Sequence, residues 1–254
     1  MEDSLTPQFI PVDDVNIAVR YRQGTQAPGL VWLGGYRSDM SGTKALAVDA
    51  LAGRLGLSAL RHDYSGHGLS QGDFLQGSVS LWLKQSLAVY QHFANGPQIV
   101  VGSSLGGWIA LRMAEELQKQ GVRLAGLVLI APAPDFTSLY AEPALTERQR
   151  QALQTQGLLE IATGYGPQLF SKTLIDDGPA NFVLRGMIKP GCPVHILHGM
   201  QDDTVPYSHA MRLMEHLPQA DVTLTLVKDG DHRLSRPQDI QLLERIIEGM
   251  IAAG

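Results

Sequence analysis

The stretch Gln98-Ile99-Val100-Val101-Gly102-Ser103-Ser104-Leu105-Gly106-Gly107-Trp108-Ile109-Ala110 decides how the rest of the chain is read. Ile99, Val100 and Val101 follow Pro97 as a short β-branched run, the composition of a buried strand. Gly102-x-Ser104-x-Gly106 comes next, and Trp108, Ile109, Leu111 and Met113 then continue as an apolar stretch with acidic charge only from Glu115. Strand, sharp turn and helix is the setting in which this pentapeptide forms a nucleophile elbow. A serine there takes a strained backbone conformation that pushes its hydroxyl clear of the turn. Side chains two positions to either side would collide with neighbouring backbone, so Gly102 and Gly106 fit. The following helix aims its first N–H groups at the same point, where negative charge would be stabilised.

The pattern occurs a second time, as Gly68-Leu69-Ser70-Gln71-Gly72. That copy lies in a long polar loop from Tyr64 to Gly77, with no strand running into it and no apolar-periodic segment leaving it. Ser104, and not Ser70, is therefore the candidate nucleophile. A phosphate-cradling turn is disfavoured at Ser104, because Gly-x-x-x-x-Gly-Lys-Ser/Thr is absent.

A length of 254 residues fits one domain, or one domain carrying an insertion. The formal charge of −5, with no Lys/Arg-rich run, argues against a nucleic-acid partner. The single cysteine, Cys192, excludes an internal disulfide framework and fits a reducing compartment. It opens a predicted buried strand and reads as core packing. No run approaches about 18 apolar residues, so no membrane partner or span is expected. The start, Met1 to Pro7, is acidic and lacks an apolar signal segment, which points to a cytoplasmic chain.

Strands are predicted at Phe9–Asp13, Val15–Arg22, Leu30–Leu33 and Ser58–Asp63. A helix between the last two should bury Leu46, Val48, Leu51, Ala52 and Leu55. Ser78 reads as the N-cap of a helix through Phe93. Leu127–Ala131 is a continuous apolar run, as in a parallel strand covered on both faces. The alternation then stops. Short helical patterns are read at Leu145–Gln156, Leu158–Thr163 and Gln168–Leu174, and apolar residues that look exposed recur from Leu139 to Met187. A structureless loop of that length would be unusual, so residues 135–190 read as a small helical cap inserted into a single domain of residues 1–254. Strand, helix, strand and helix resume at Pro193–His198, Ser208–Leu217, Val222–Val227 and Pro237–Ala252. The expected fold is α/β, a mostly parallel eight-stranded sheet with helices on both faces.

Ligands of such sheets bind beyond the carboxyl ends of the strands. A serine hydroxyl there needs a base, and the base needs an orienting carboxylate. His198-Gly199-Met200-Gln201-Asp202-Asp203 and Lys228-Asp229-Gly230-Asp231-His232 follow two strand ends in the chain order Ser, Asp, His. His232 is the candidate base, against the alternative of a loop histidine held by Asp229 or Asp231. His195 and His198 read as strand and strand-end residues, and His209 and His216 as helical surface positions. His62 and His67 lack the spacing of a helical zinc pair, so no metal is expected. An oxyanion hole needs two backbone N–H groups: Leu105, after the nucleophile, and Tyr36, in the Gly34-Gly35-Tyr36 turn.

Five stretches carry a resemblance: Leu33–Met40, Asp63–Ser70, Gly102–Trp108, Ala131–Phe136 and Asp229–Ser235. Over essentially its whole length the chain resembles α/β-hydrolase-fold serine hydrolases. More narrowly it resembles a branch holding an animal mitochondrial palmitoyl-protein thioesterase and acyl-glucuronide esterase, with bacterial relatives. The resemblance implies hydrolysis of a small-molecule ester or thioester, or of an acylated protein, through Ser104, Asp202 and His232 without a cofactor. Haloalkane or epoxide chemistry is disfavoured, because those enzymes resemble this fold with Asp at the elbow. Carbon–carbon bond hydrolysis and a catalytically weak binding protein remain as alternatives, and a monomer or homodimer is expected. Of the adjacent pair Asp202 and Asp203, only one can reach the imidazole. Val205-Pro206 should pack the turn down, and in fold relatives the acid resembles the residue four before that proline, which favours Asp202.

Overall fold

The computed structural model describes residues 5–140, 145–163 and 166–253. The chain opens with β1 (Gln8–Val12) and β2 (Val15–Arg22), an antiparallel hairpin turning at Asp13 in the left-handed region. It continues through β3 (Gln26–Leu33), α1 (Thr43–Leu55), β4 (Leu57–His62), α2 (Val79–Phe93), β5 (Gln98–Ser103), α3 (Leu105–Lys119) and β6 (Gly126–Ile130). A second stretch holds α4 (Glu147–Gln156), β7 (Leu158–Thr163), β8 (Gly166–Ser171) and α5 (Lys172–Asp177). The chain then returns through β9 (Val194–Gly199), α6 (Tyr207–Glu215), β10 (Val222–Val227) and α7 (Pro237–Ala253).

Eight strands form one sheet in the order β1-β2-β4-β3-β5-β6-β9-β10. β2 runs against both its neighbours, and every other pairing in this sheet is parallel. Strand alternation sends successive residues to opposite faces. Ile99 and Val101 of β5, with Val128 and Ile130 of β6, pack on the side of α1 and α7. Val100, Leu127 and Leu129 pack on the other side, against Trp82 and Val89 of α2 and Ile109 and Met113 of α3. Both faces of these strands are covered, which is why they read as unbroken apolar runs.

Several expectations need correction. Leu158–Thr163 and the first part of Gln168–Leu174 are not helical. They are β7 and β8, an antiparallel pair in a separate two-stranded sheet. Short apolar runs do not separate the two periodicities well. Here Leu159 faces its cross-strand partner Phe170, both buried, while Glu160 is exposed, which is a period of two. The stretch is thus a mixed helix-and-hairpin layer, not a purely helical one; its residues 141–144 and 164–165 lie outside the described set. Leu55, expected inward, is exposed at the last position of α1, where the helix ends at the left-handed Gly56. β3 begins at Gln26, ahead of its apolar run. Cys192 is half-buried against the core just before β9, and burial pushes its thiol up to about 12. Among the described residues no helix is long and apolar enough to cross a membrane.

Glycine at the elbow is demanded by close approach. A Cβ on Gly106 would meet the Leu33 carbonyl, and one on Gly102 would meet the Gly106 carbonyl, all backbone that cannot swing away. Gly106→Ala should therefore lower the urea midpoint, with a loss of roughly 1–3 kcal/mol from overpacking. Gly249→Ala, where an added Cβ meets nothing within 4 Å inside α7, should do the reverse and stabilise by about 0.5–1 kcal/mol.

Candidate active site

Ser104 stands between β5 and α3 with φ 54° and ψ −117°, a conformation that non-glycine residues rarely adopt. Its backbone is held from three sides. Its N–H donates to the Ile130 carbonyl at 2.9 Å, and its own carbonyl accepts from Gly107 N at 2.9 Å and Ala133 N at 3.1 Å. The side chain is thereby presented beyond the carboxyl ends of the strands.

Two loops converge on it. The loop after β9 carries Asp202, and the loop after β10 carries His232. They are pressed together by glycine: a Cβ on Gly199 would meet the Gly230 carbonyl, and Gln201 N donates to that same carbonyl at 2.8 Å. His232 Nε2 lies 3.1 Å from Ser104 Oγ, and its Nδ1 lies 2.7 Å from Asp202 Oδ2. A carboxylate can only accept, so Nδ1 carries a proton, and in the neutral form of the ring the Nε2 lone pair faces the serine hydroxyl. Asp202 Oδ1 accepts from Thr204 N at 2.9 Å and Val205 N at 2.8 Å. Burial by itself would raise the Asp202 carboxyl. Hydrogen bonds from His198 and His232, the His232 charge and the Val205 N–H together hold it well below the usual carboxylate range. Asp203 is exposed and accepts from the Thr204 hydroxyl at 3.3 Å.

The carboxylates beside His232 are engaged elsewhere. Asp229 takes the Arg236 guanidinium at 2.8 Å, and Asp231 Oδ1 accepts from Leu234 N at 2.9 Å. Ser70 is remote in role from Ser104. Its hydroxyl accepts from Ala18 N at 2.8 Å and donates to the Asp63 carbonyl at 2.6 Å. Its loop braces the turn after β3 instead. The Asp63 carboxylate accepts from Met40 N at 2.7 Å and Leu69 N at 2.8 Å, and buried His67 accepts from Arg37 N at 3.2 Å. Burial pushes His67 down from its ordinary value, which keeps that acceptor lone pair bare.

A cavity of about 420 Å³ opens over Ser104 and His232, and both Tyr36 and Leu105 line it. Leu105 is the first residue of α3, where backbone N–H groups point outward. Gly35 runs beside the nucleophile: an added Cβ there would lie 3.4 Å from the Ser104 Cβ. Phe136, Leu139, Ile161 and Phe170 supply an apolar wall, while Arg37, Lys44 and Arg233 stand on the wall's polar counterpart. Burial lowers Lys44 to about 8, and its ammonium donates to the Arg233 carbonyl, next to His232. His209, expected on a helical surface, is half-buried at the cavity and pairs with the Pro134 carbonyl at 2.8 Å.

Three features escaped the sequence reading. Tyr36 was singled out for its backbone, but its hydroxyl also donates to the Leu169 carbonyl at 2.5 Å and its ring stacks on Phe170 at 5.1 Å between centroids. Trp108, after the elbow, donates to the Asn181 carbonyl at 2.9 Å. His198 is fully buried against Asp202. The only hint of that last contact was the four-residue spacing of His198 and Asp202.

A chain with this sheet and this elbow belongs to the alpha/beta hydrolase family, whose sequence model matches residues 27–240. Among characterised relatives, the mitochondrial palmitoyl-protein thioesterase ABHD10 of mouse is 34% identical over 241 residues, spanning 93% of this chain and 79% of that protein. The human ABHD10 is also 34% identical, over 239 residues, with 93% and 76% covered. Among solved structures, a protein of Agrobacterium vitis S4 described no more closely than as a hydrolase superposes with a TM-score of 0.93 at 51% identity, over 98% of this chain and all (100%) of that one. Mouse alpha/beta hydrolase domain-containing protein 10 superposes with a TM-score of 0.88 at 32% identity, covering 98% and 99%.

One pair of substitutions and one single substitution test the placement of these residues. Asp202→Asn, which favours the wrong imidazole tautomer, should cost on the order of 10⁴ in kcat, whereas Asp203→Asn should stay within about tenfold of wild type. Ser70→Ala should keep kcat/KM within about threefold but lower stability by about 1–3 kcal/mol, because it leaves Ala18 N without its buried acceptor. Steady-state kinetics and urea unfolding of the same preparations read both outcomes.

Proposed function

We propose that this chain is a serine hydrolase that cleaves carboxylic esters or thioesters through an acyl-enzyme on Ser104. The observation that carries the reading is the continuous hydrogen-bonded chain Ser104–His232–Asp202 at the floor of a half-apolar cavity. Ser104 Oγ attacks the acyl carbon while His232 Nε2 takes its proton. Asp202 keeps the ring oriented and offsets the charge that the imidazolium gains. The developing oxyanion is met by the N–H group of Leu105, at the N-terminus of α3, and that of Tyr36, in the turn after β3. His232 then protonates the departing alcohol or thiol, and water reverses the sequence to free the acid.

Residues 135–190 act in this reading as a cap within a single catalytic domain. Phe136, Leu139, Ile161 and Phe170 of that segment line the cavity, so they are placed to receive the acyl chain. The similarity to ABHD10, named as a palmitoyl-protein thioesterase, supports an acyl thioester or acylated protein as substrate. The apolar wall of the cavity favours medium acyl groups over acetyl.

The test is a series of p-nitrophenyl esters and matched N-acetylcysteamine thioesters from acetyl upward. kcat/KM should rise roughly fourfold per methylene, the equivalent of about 0.8 kcal/mol, until the apolar wall is filled. Ser104→Ala and His232→Ala should each lose on the order of 10³-fold or more, and the double variant should be little worse. A fluorophosphonate should label wild type and not Ser104→Ala. Full turnover by Ser104→Ala would sink the proposal, and a flat chain-length series would remove the cap from acyl selection.

A further inference from the structure

His198, near the end of β9, is fully buried and is not needed by the mechanism above. Its Nε2 lies 2.8 Å from the Val205 carbonyl oxygen and 3.2 Å from Asp202 Oδ2. Both neighbours can only accept, so Nε2 carries a proton. Its Nδ1 is buried and meets no hydrogen-bond partner among the described residues. A bare lone pair tolerates that position far better than a buried N–H would. The geometry thus assigns a proton to Nε2. The Asp202 carboxylate accordingly takes two backbone N–H groups on Oδ1 and the His232 N–H on Oδ2, with His198 Nε2 3.2 Å from that same oxygen.

We propose that His198 is a positioning residue acting through Asp202: its protonated Nε2, 3.2 Å from the oxygen that His232 uses, polarises that oxygen and so limits how tightly Asp202 holds a second proton on His232. This rests on the Ser104–His232–Asp202 reading. The base of such a chain must be neutral before attack and cationic after it. A buried carboxylate facing His232 with nothing else on Oδ2 would stabilise the imidazolium in the resting enzyme as well, and idle the base at mildly acid pH. A second donor spreads that negative charge without moving the carboxylate, because Thr204 N and Val205 N still hold Oδ1. The remaining charged groups facing this cluster are the same residues in every variant. They are His209 of α6, which senses His198 and Asp135, and Lys44, Asp231 and Arg233 around the His232 loop.

The experiment is the pH profile of kcat/KM for p-nitrophenyl butyrate with the full chain, its His198→Phe variant and its His198→Gln variant. Phenylalanine keeps the ring's shape and removes the donor, while the Gln amide can place an N–H where Nε2 stood. The Phe variant should move its acid limb to higher pH by about half a unit or more, a loss of about threefold or more on the limb, with a plateau kcat within about tenfold of wild type. The Gln variant should return the limb to the wild-type position. A folded Phe variant with the wild-type limb overturns the proposal, and so does a Gln variant displaced as far as Phe. Should the Phe variant fail to fold, ¹⁵N spectra of wild-type histidines decide: a proton on His198 Nε2 with bare Nδ1 through the active range supports the proposal, and a proton on Nδ1 overturns it. Asp202→Asn keeps the two ideas apart, since full activity in that variant removes the underlying triad whatever His198 does.

Discussion

A serine held at φ 54° and ψ −117° between β5 and α3 is the constraint to which the neighbouring elements are fitted. Such a conformation costs about 1–3 kcal/mol and persists only where the surroundings over-determine it. Here the surroundings are parallel strands buried on both faces. β3 and β6 flank β5, and their ends supply the contacts that hold the turn: the Leu33 carbonyl against Gly106, and the Ile130 carbonyl on Ser104 N. The helix cannot tilt to relieve the strain without driving backbone into backbone. Packing of the sheet is thus converted directly into the direction of one hydroxyl.

The same logic, close backbone contact between strand ends, assembles the other two side chains. Neighbouring β9 and β10 run parallel, and Gly199 lets the turn after β10 lie on the end of β9. That contact brings the Asp202 and His232 loops to hydrogen-bonding distance across 30 residues of sequence. Once there, the carboxylate is buried, which alone would neutralise it. Three hydrogen-bond donors and the nearby His198 ring keep it ionised, and a charged, immobile acceptor is what an imidazole needs to be held in one tautomer.

The substrate side is built by a different device. The turn after β3 is braced from below by Asp63 and His67, and from above by the stacking of Tyr36 on Phe170 of the hairpin. A single residue therefore touches both the position offered to an oxyanion and the wall offered to an acyl chain. Motion of the hairpin would be felt at the Gly35–Tyr36 backbone, so under the proposed function selection of an acyl group and stabilisation of its transition state would be mechanically joined.

Much of this was legible in the chain of letters because it follows from local chemistry. Ile99–Val101 before Gly102-x-Ser104-x-Gly106 specifies a buried strand and a turn that only glycines permit, and Ser78 caps α2 through its own hydroxyl, at 3.3 Å from Leu81 N. Apolar runs at β5, β6 and β9 require cover on both faces, which implies a parallel sheet and places every loop of interest at one end. The hairpin β7–β8 was misread because six apolar-leaning residues fit either periodicity, and cross-strand pairing between Leu159 and Phe170 decided it. The two copies of Gly-x-Ser-x-Gly share the same three fixed residues and differ only at the x positions. Ser70 became a brace because the sheet laid Ala18 N and the Asp63 carbonyl against it. Likewise Tyr36 and Asp202 acquire Leu169 and His232 as partners only when segments far apart in sequence meet. By itself the sequence determined which backbone could bend and which segments had to be buried, since those are properties of neighbouring residues. Tertiary structure alone decided which polar atoms face one another, because hydrogen bonds between loops far apart in sequence exist only after the sheet has set their positions.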